Sequence, residues 1–208
     1  MSFHRLRRTV LLASPLLFIA APASAHHVMG GKMPSTWLEG LLSGLGHPLI
    51  GPEHLGFLIA VAVIVGACGL NLALPAVFVA AMAAGVGLHV MGITLPAAEL
   101  MVALSTLLAG CLIARARPLP LAAWVSLFAA AGFFHGYAFG ESIYGAETAP
   151  LGAYLAGLIL IQSLLTVAVA LLVRRMGVRL TELAPRLAGA AVLGIGFAVL
   201  IGQLIPAA

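Results

Sequence analysis

Residues 47–54 read "HPLIGPEH", with two imidazoles and a carboxylate within eight positions, punctuated by two prolines and a glycine. Imidazole nitrogens with a carboxylate suit borderline divalent ions such as Ni(II), Co(II), Zn(II) or Cu(II), and release them more readily than thiolates do. In one unbroken helix His47 and His54 would share a face about 10 Å apart, too far for a single ion. Pro48, Gly51 and Pro52 argue against that helix, because each proline removes an N–H and biases its predecessor away from helical geometry. The expectation is a short irregular or re-entrant piece that folds back and brings His47 toward Glu53 and His54. Such backbone is tolerated at a membrane only under cover of protein or a watery cavity.

Other donors can join this set. "GFFHGYAFGESIYGAE" supplies His135 and, just beyond it, Glu141, while Gly132, Gly136 and Gly140 form a small-residue face on which another helix can pack closely. His89 closes an earlier apolar run. His26, once at a free N-terminus, can chelate an ion through its amine and ring nitrogen, with Met29 as a soft neighbour. A lone histidine at a helix end often only snorkels toward the headgroups. Histidines from three different helices in one layer point instead to a shared site, because polar groups at membrane depth tend to face a bundle interior. Nearer the midplane, Ser105, Thr106, Gln162 and Ser163 either line a path or bond between helices.

These residues sit in a chain that is 62% hydrophobic and 8% charged, with a mean hydropathy of +1.17. Both figures belong to integral membrane proteins rather than soluble domains. The net charge of +4 owes much to Arg5, Arg7 and Arg8; without them seven basic residues face six acidic ones. No basic patch remains for nucleic acid. Residues 1–25, with a basic start, a short apolar middle and the ending Ala23-Ser24-Ala25, have the form of a cleavable signal peptide. Residues 26–53 then form an extracytoplasmic segment ahead of a transmembrane domain spanning 54–208.

Six apolar runs follow, Leu55–Gly69, Leu72–Met91, Pro96–Ala114, Leu119–Ala138, Pro150–Val173 and Pro185–Ile205, each near the roughly 20 residues a spanning helix requires. The fold class is an all-α membrane protein, a six-transmembrane-helix bundle. Arg115 and Arg117 follow the third run, and Arg174, Arg175, Arg179 and Arg186 lie around the link between fifth and sixth, which makes those links cytoplasmic. Both mature termini are then extracytoplasmic, as the signal peptide also requires. His26, His47, His54, His89 and His135, with Glu53 and Glu141, all fall on the outer side. Cys68 and Cys111 fall at cytoplasmic ends, where thiols stay reduced.

On these residues the sequence resembles the HupE/UreJ family over nearly its whole length. The family pattern is a leader, a mature start in His, the motif His-Pro-x-x-Gly-x-Asp-His and an element "FHGYA-x-G-E". Here they read as His26, as "HPLIGPEH", and as "FHGYAFGE" with His135 and Glu141. Glu53 stands at the usual Asp position, and Leu58 where the family often has a Met. The resemblance implies a nickel or cobalt permease of the bacterial inner membrane, its site facing the periplasm, with the metal ion as substrate, the lipid bilayer as solvent and nickel-enzyme maturation proteins as partners.

The leading expectation is therefore a secondary permease, not an enzyme, that captures a divalent ion outside and passes it inward. No Walker-type loop is present to hydrolyse ATP. Two other readings use the same donors. A membrane zinc hydrolase would hold Zn(II) on three histidines with a glutamate as general base, although no HExxH pair occurs. An accessory protein would bind the ion and deliver it without transport.

Overall fold

The computed structural model describes residues 32–205, which form seven helices joined by short links. They are α1 (Trp37–Ile50), α2 (Pro52–Ala67), α3 (Pro75–Val90), α4 (Ala98–Ala114), α5 (Leu121–Glu141), α6 (Thr148–Arg175) and α7 (Leu183–Leu204). The expected signal peptide, His26 and Met29 lie outside the described residues. Helices α5, α6 and α7 are long and apolar enough to cross a bilayer, and the bent pair α1–α2 makes a fourth candidate span. Helices α3 and α4 are apolar but shorter, at 16 and 17 residues.

Helix α1 departs from the expected irregular piece. It runs unbroken through His47 and Pro48 for 14 residues. Its start is fixed by a capping box, in which Thr36 accepts from the Glu39 amide while the Glu39 carboxylate accepts from the Thr36 amide. Pro48 falls in the last turn, where its missing N–H costs one bond near an end that is open in any case. The break is confined to Gly51, across which α1 and α2 bend by 77°. Pro52 then opens α2 at the position where a proline suits a helix start.

Helix α2 is the axis of the bundle. Twelve of its sixteen residues are buried, and it touches α1, α3, α4, α6 and α7. Around it the helices pair through glycines. A side chain at Gly132, Gly136 or Gly140 of α5 would collide with Phe78, Met82 or His89 of α3, so these two helices run in the same direction with backbones in contact. Gly110, Gly189 and Gly196 seat α4 against α7 in opposite directions, and Gly40, Gly44 and Gly157 seat α1 along the first half of α6. The outer faces remain apolar, with Leu160, Leu164, Leu187 and Phe197 exposed. A bundle hydrophobic inside and out has lipid as its solvent.

Candidate metal site

The bend at Gly51 creates the site. Because α2 turns away from α1 directly after Gly51, Glu53 and His54 in the first turn of α2 fold back over the glycine. A Cβ on Gly51 would stand 2.7 Å from Cδ2 of His54 and 3.1 Å from Oε1 of Glu53. The motif glycine is thus required for room; its φ of −74° is open to any residue.

The histidines that the sequence separates by up to 88 positions meet here. Nδ1 of His54 is 2.8 Å from Nδ1 of His135, and the rings of His47 and His54 lie 6.0 Å apart between centroids. His47, Glu53, His54 and His135 are all at most 5% exposed. Phe139 lies against both His47 and His54, and Phe57 and Phe78 against His135. The cluster is walled by aromatic rings, so its polar atoms must satisfy one another.

Their bonds assign the imidazole protons. Ser105 Oγ is 2.9 Å from the Val102 carbonyl and 3.1 Å from Nε2 of His135. Both bonds form together only when the hydroxyl donates to the carbonyl and accepts from the ring, which puts the His135 proton on Nε2 and leaves Nδ1 as an acceptor. Nδ1–H of His54 is then the donor between the two rings. On its other side, Nε2 of His54 faces Oε1 of Glu53 at 3.5 Å. Thr106 Oγ stands beside this turn, 3.2 Å from the Glu53 carbonyl and 3.0 Å from the Val102 carbonyl of its own helix, with one hydrogen to share between the two acceptors.

His47 is oriented by hydroxyls. Its Nδ1 lies 2.9 Å from the Tyr154 hydroxyl and 3.2 Å from Ser142 Oγ, and both hydroxyls also reach the Phe139 carbonyl. Sequence reasoning missed Tyr154 and Ser142. The available signal was Tyr154 itself, the one aromatic residue of α6.

His89 and Glu141 do not join this group. They line a separate pocket of about 430 Å³ together with Glu99, Tyr137 and Gln203. His89 is held against Tyr137 and Tyr144, and Gly140 lets it pass close to α5. The pocket adjoins the inner cluster along α5, whose Tyr137 and Glu141 line it within six positions of His135. The expected single layer of donors is therefore two neighbouring groups.

Among the described residues, no group of three or more His, Cys, Asp or Glu side chains is already arranged to hold a metal ion. The two Nδ1 atoms come near the spacing of a shared ion without reaching it. Nitrogens about 2.0–2.1 Å from a tetrahedral ion stand about 3.3 Å from each other, and here a hydrogen bond has closed that gap to 2.8 Å. Opening it takes a half-ångström shift of two rings, on the order of a side-chain adjustment. Two imidazoles whose Nδ1 atoms converge while carboxylate and hydroxyl oxygens face their Nε2 atoms have the outer-shell pattern of histidine metal ligands.

Residues 14–199 match the family described as HupE / UreJ protein. The chain belongs to the HupE/UreJ family. It is also 29% identical over 194 residues to Protein HupE of Rhizobium leguminosarum bv. viciae, covering 92% of this chain and 97% of that one. No solved structure matches it. HupE/UreJ proteins are multi-span membrane proteins associated with nickel supply to hydrogenases and ureases, and are regarded as transporters rather than enzymes. The two family motifs are the two stretches whose histidines, His54 and His135, meet in the structure.

Proposed function

We propose that this HupE/UreJ protein is a secondary permease for a divalent transition-metal ion, nickel or cobalt, taken from the periplasmic side and passed to the cytoplasm. The single observation that carries the reading is the facing pair of Nδ1 atoms, His54 and His135, with Glu53 and Ser105 behind them. An entering dication displaces the hydrogen between the rings. The His54 proton moves to Nε2, facing the Glu53 carboxylate, and the site becomes a carboxylate–histidine–metal relay. His47 adds a third imidazole once its ring turns about the Tyr154 and Ser142 hydroxyls. The pocket of His89, Glu99 and Glu141 serves as the mouth, where two carboxylates concentrate hydrated cations. His26, released by cleavage after Ala25, adds an amine and an imidazole as a chelator on the same side of the membrane.

The topology that suits this role has six spans, α2 to α7, with α1 as a tilted entry segment. Helix directions support it: α3 and α5 run together, as do α1 and α6, while α4 opposes α7, as alternate crossings require. The arginines at 115, 117, 174, 175, 179 and 186 then share the cytoplasmic face. Helices α2, α3 and α4, at about 24, 24 and 26 Å by their rise per residue, cross with local thinning of a bilayer core of about 30 Å. An inward potential of 100 mV supplies roughly 4.6 kcal/mol per dication, twice the per-charge value.

Uptake of radiolabelled nickel or cobalt into vesicles containing the purified protein tests the reading. Entry that is abolished by His54→Ala supports the permease. Binding without entry makes the protein an accessory metal carrier, and chelator-sensitive hydrolysis of a lipid or amide substrate makes it an enzyme.

A further inference from the structure

Inward of the histidines, the interior of α6 carries one polar side chain that the fold leaves unmatched. Gln162 is fully buried, and neither its amide oxygen nor its amide nitrogen has a hydrogen-bond partner among the described residues. Buried amides are almost always paired, and an unpaired one in a native structure calls for an explanation, a bound water or ion among them. Gln162 stands at the middle of α6, which runs from Thr148 to Arg175. The buried stripe of that helix reads Tyr154, Leu158, Gln162, Thr166, Ala170, so it begins at the tyrosine that holds His47. Gln162 lies two turns further in, about 12 Å along the axis, and Thr166 about 6 Å beyond. Thr166 is fully buried too, and its hydroxyl donates to the Gln162 backbone carbonyl at 2.6 Å, which leaves the oxygen lone pairs as acceptors.

We propose that the Gln162 amide oxygen and the Thr166 hydroxyl form a second, weak station for the same ion, between the histidine site and the cytoplasmic face. This rests on the transport reading of the outer site. The donor chemistry fits a transit point: neutral oxygens hold a dication far less firmly than imidazole and carboxylate, so an ion that leaves the histidines for Gln162 can continue inward. The amide nitrogen, as a donor, holds a water that accompanies the ion. The ion thus keeps part of its hydration, which neutral ligands alone could not replace.

The test uses the full chain in proteoliposomes, with nickel binding and nickel uptake measured on the same preparation. Gln162→Leu is expected to cut initial uptake at least tenfold while leaving equilibrium binding unchanged. A purely structural glutamine would behave otherwise, because removing two unpaired polar atoms raises the melting temperature and leaves uptake alone; that result overturns the proposal. Gln162→Glu supplies a second, independent reading. It is expected to retain an additional nickel per protein and to slow uptake, whereas unchanged stoichiometry and unchanged uptake count against the station. In either case, uptake that is lost in His54→Ala but normal in both Gln162 variants refutes the station and spares the permease. Uptake that is indifferent to His54→Ala refutes the permease, and the station with it.

Discussion

Nδ1 of His54 and Nδ1 of His135 face each other at 2.8 Å, one on α2 and the other on α5. The bond between them gives each of two buried rings a partner at Nδ1. Replacing either ring with alanine leaves the other without its partner, at a cost of about 1–3 kcal/mol of stability. His54→Ala and His135→Ala are each expected to weaken nickel binding by at least about 100-fold, beyond what loss of an outer-shell group does. The double variant is expected to bind no worse than the singles, because the ligands act as a unit. Calorimetric titration of the four proteins checks this, and independent additive losses would mean that the two rings do not share an ion.

Ser105 acts through His135. Its hydroxyl is bonded to the Val102 carbonyl and to Nε2 of the ring, so Ser105→Ala frees the ring to take the wrong tautomer. A loss of about 10–100-fold in nickel affinity is expected with the fold intact. Ser105→Thr, which keeps the hydroxyl, is expected to restore most of it. Tyr154→Phe removes one of the two hydroxyls at His47 and is expected to show a smaller loss, since Ser142 remains.

Glu53 separates charge from length. Glu53→Gln keeps the arm and removes the charge that faces Nε2 of His54, and is expected to weaken binding by about 10–100-fold. Glu53→Asp keeps the charge on an arm one methylene shorter and is expected to lose less. Both leave the backbone of this turn and its contact with Thr106 unchanged, so melting temperatures are expected to stay close to that of the unaltered protein. A loss in Asp as large as in Gln would make arm length, not charge, the decisive property.

The parts of the site readable in the sequence were those in which donor type and local spacing coincide. His47, Glu53 and His54 lie within eight residues, and the proline–glycine–proline punctuation announced a break. The sequence did not say where the chain breaks, because Pro48 near a helix end costs little once glycines seat α1 on α6. Nor did it separate His89 and Glu141 from the inner cluster. That division depends on how far α3 passes along α5, a register set by Gly132, Gly136 and Gly140 in contact with α3. Tyr154 and Ser142 were invisible as partners because their role comes from a contact about a hundred residues away, with His47. Of the midplane residues, Ser105 proved to be a bonding partner between helices, Thr106 divides one hydrogen between α2 and its own helix, and Gln162 has no partner among the described residues.

The six-span reading predicts opposite faces for thiols and histidines. Cys68 and Cys111 are free and partly exposed, at the far ends of α2 and α4 from the histidine site. A membrane-impermeant maleimide is expected to leave both unlabelled in intact spheroplasts and to label them in inside-out vesicles. A cysteine introduced at Tyr144, which is exposed in the link after α5, is expected to show the reverse. Labelling of Cys68 or Cys111 from outside would invert the topology and the direction of transport.

Two glycines make a matched test of room against flexibility. Gly51 has an extended backbone that any residue adopts, yet a Cβ there meets His54 and Glu53 at 2.7 and 3.1 Å. Gly194 in α7 has nothing within 4 Å of where a Cβ would stand. Gly51→Ala is therefore expected to push the His54 ring off its line to His135, lowering nickel affinity and costing about 1–3 kcal/mol by overpacking. Gly194→Ala is expected to leave binding untouched and to stabilise by up to about 1 kcal/mol through helix propensity. Thermal melting and nickel titration of both variants check the pair. If Gly51→Ala binds nickel normally, the turn tolerates a side chain and the histidine geometry does not depend on the glycine; if both variants lose stability alike, backbone freedom rather than space is what the glycines supply.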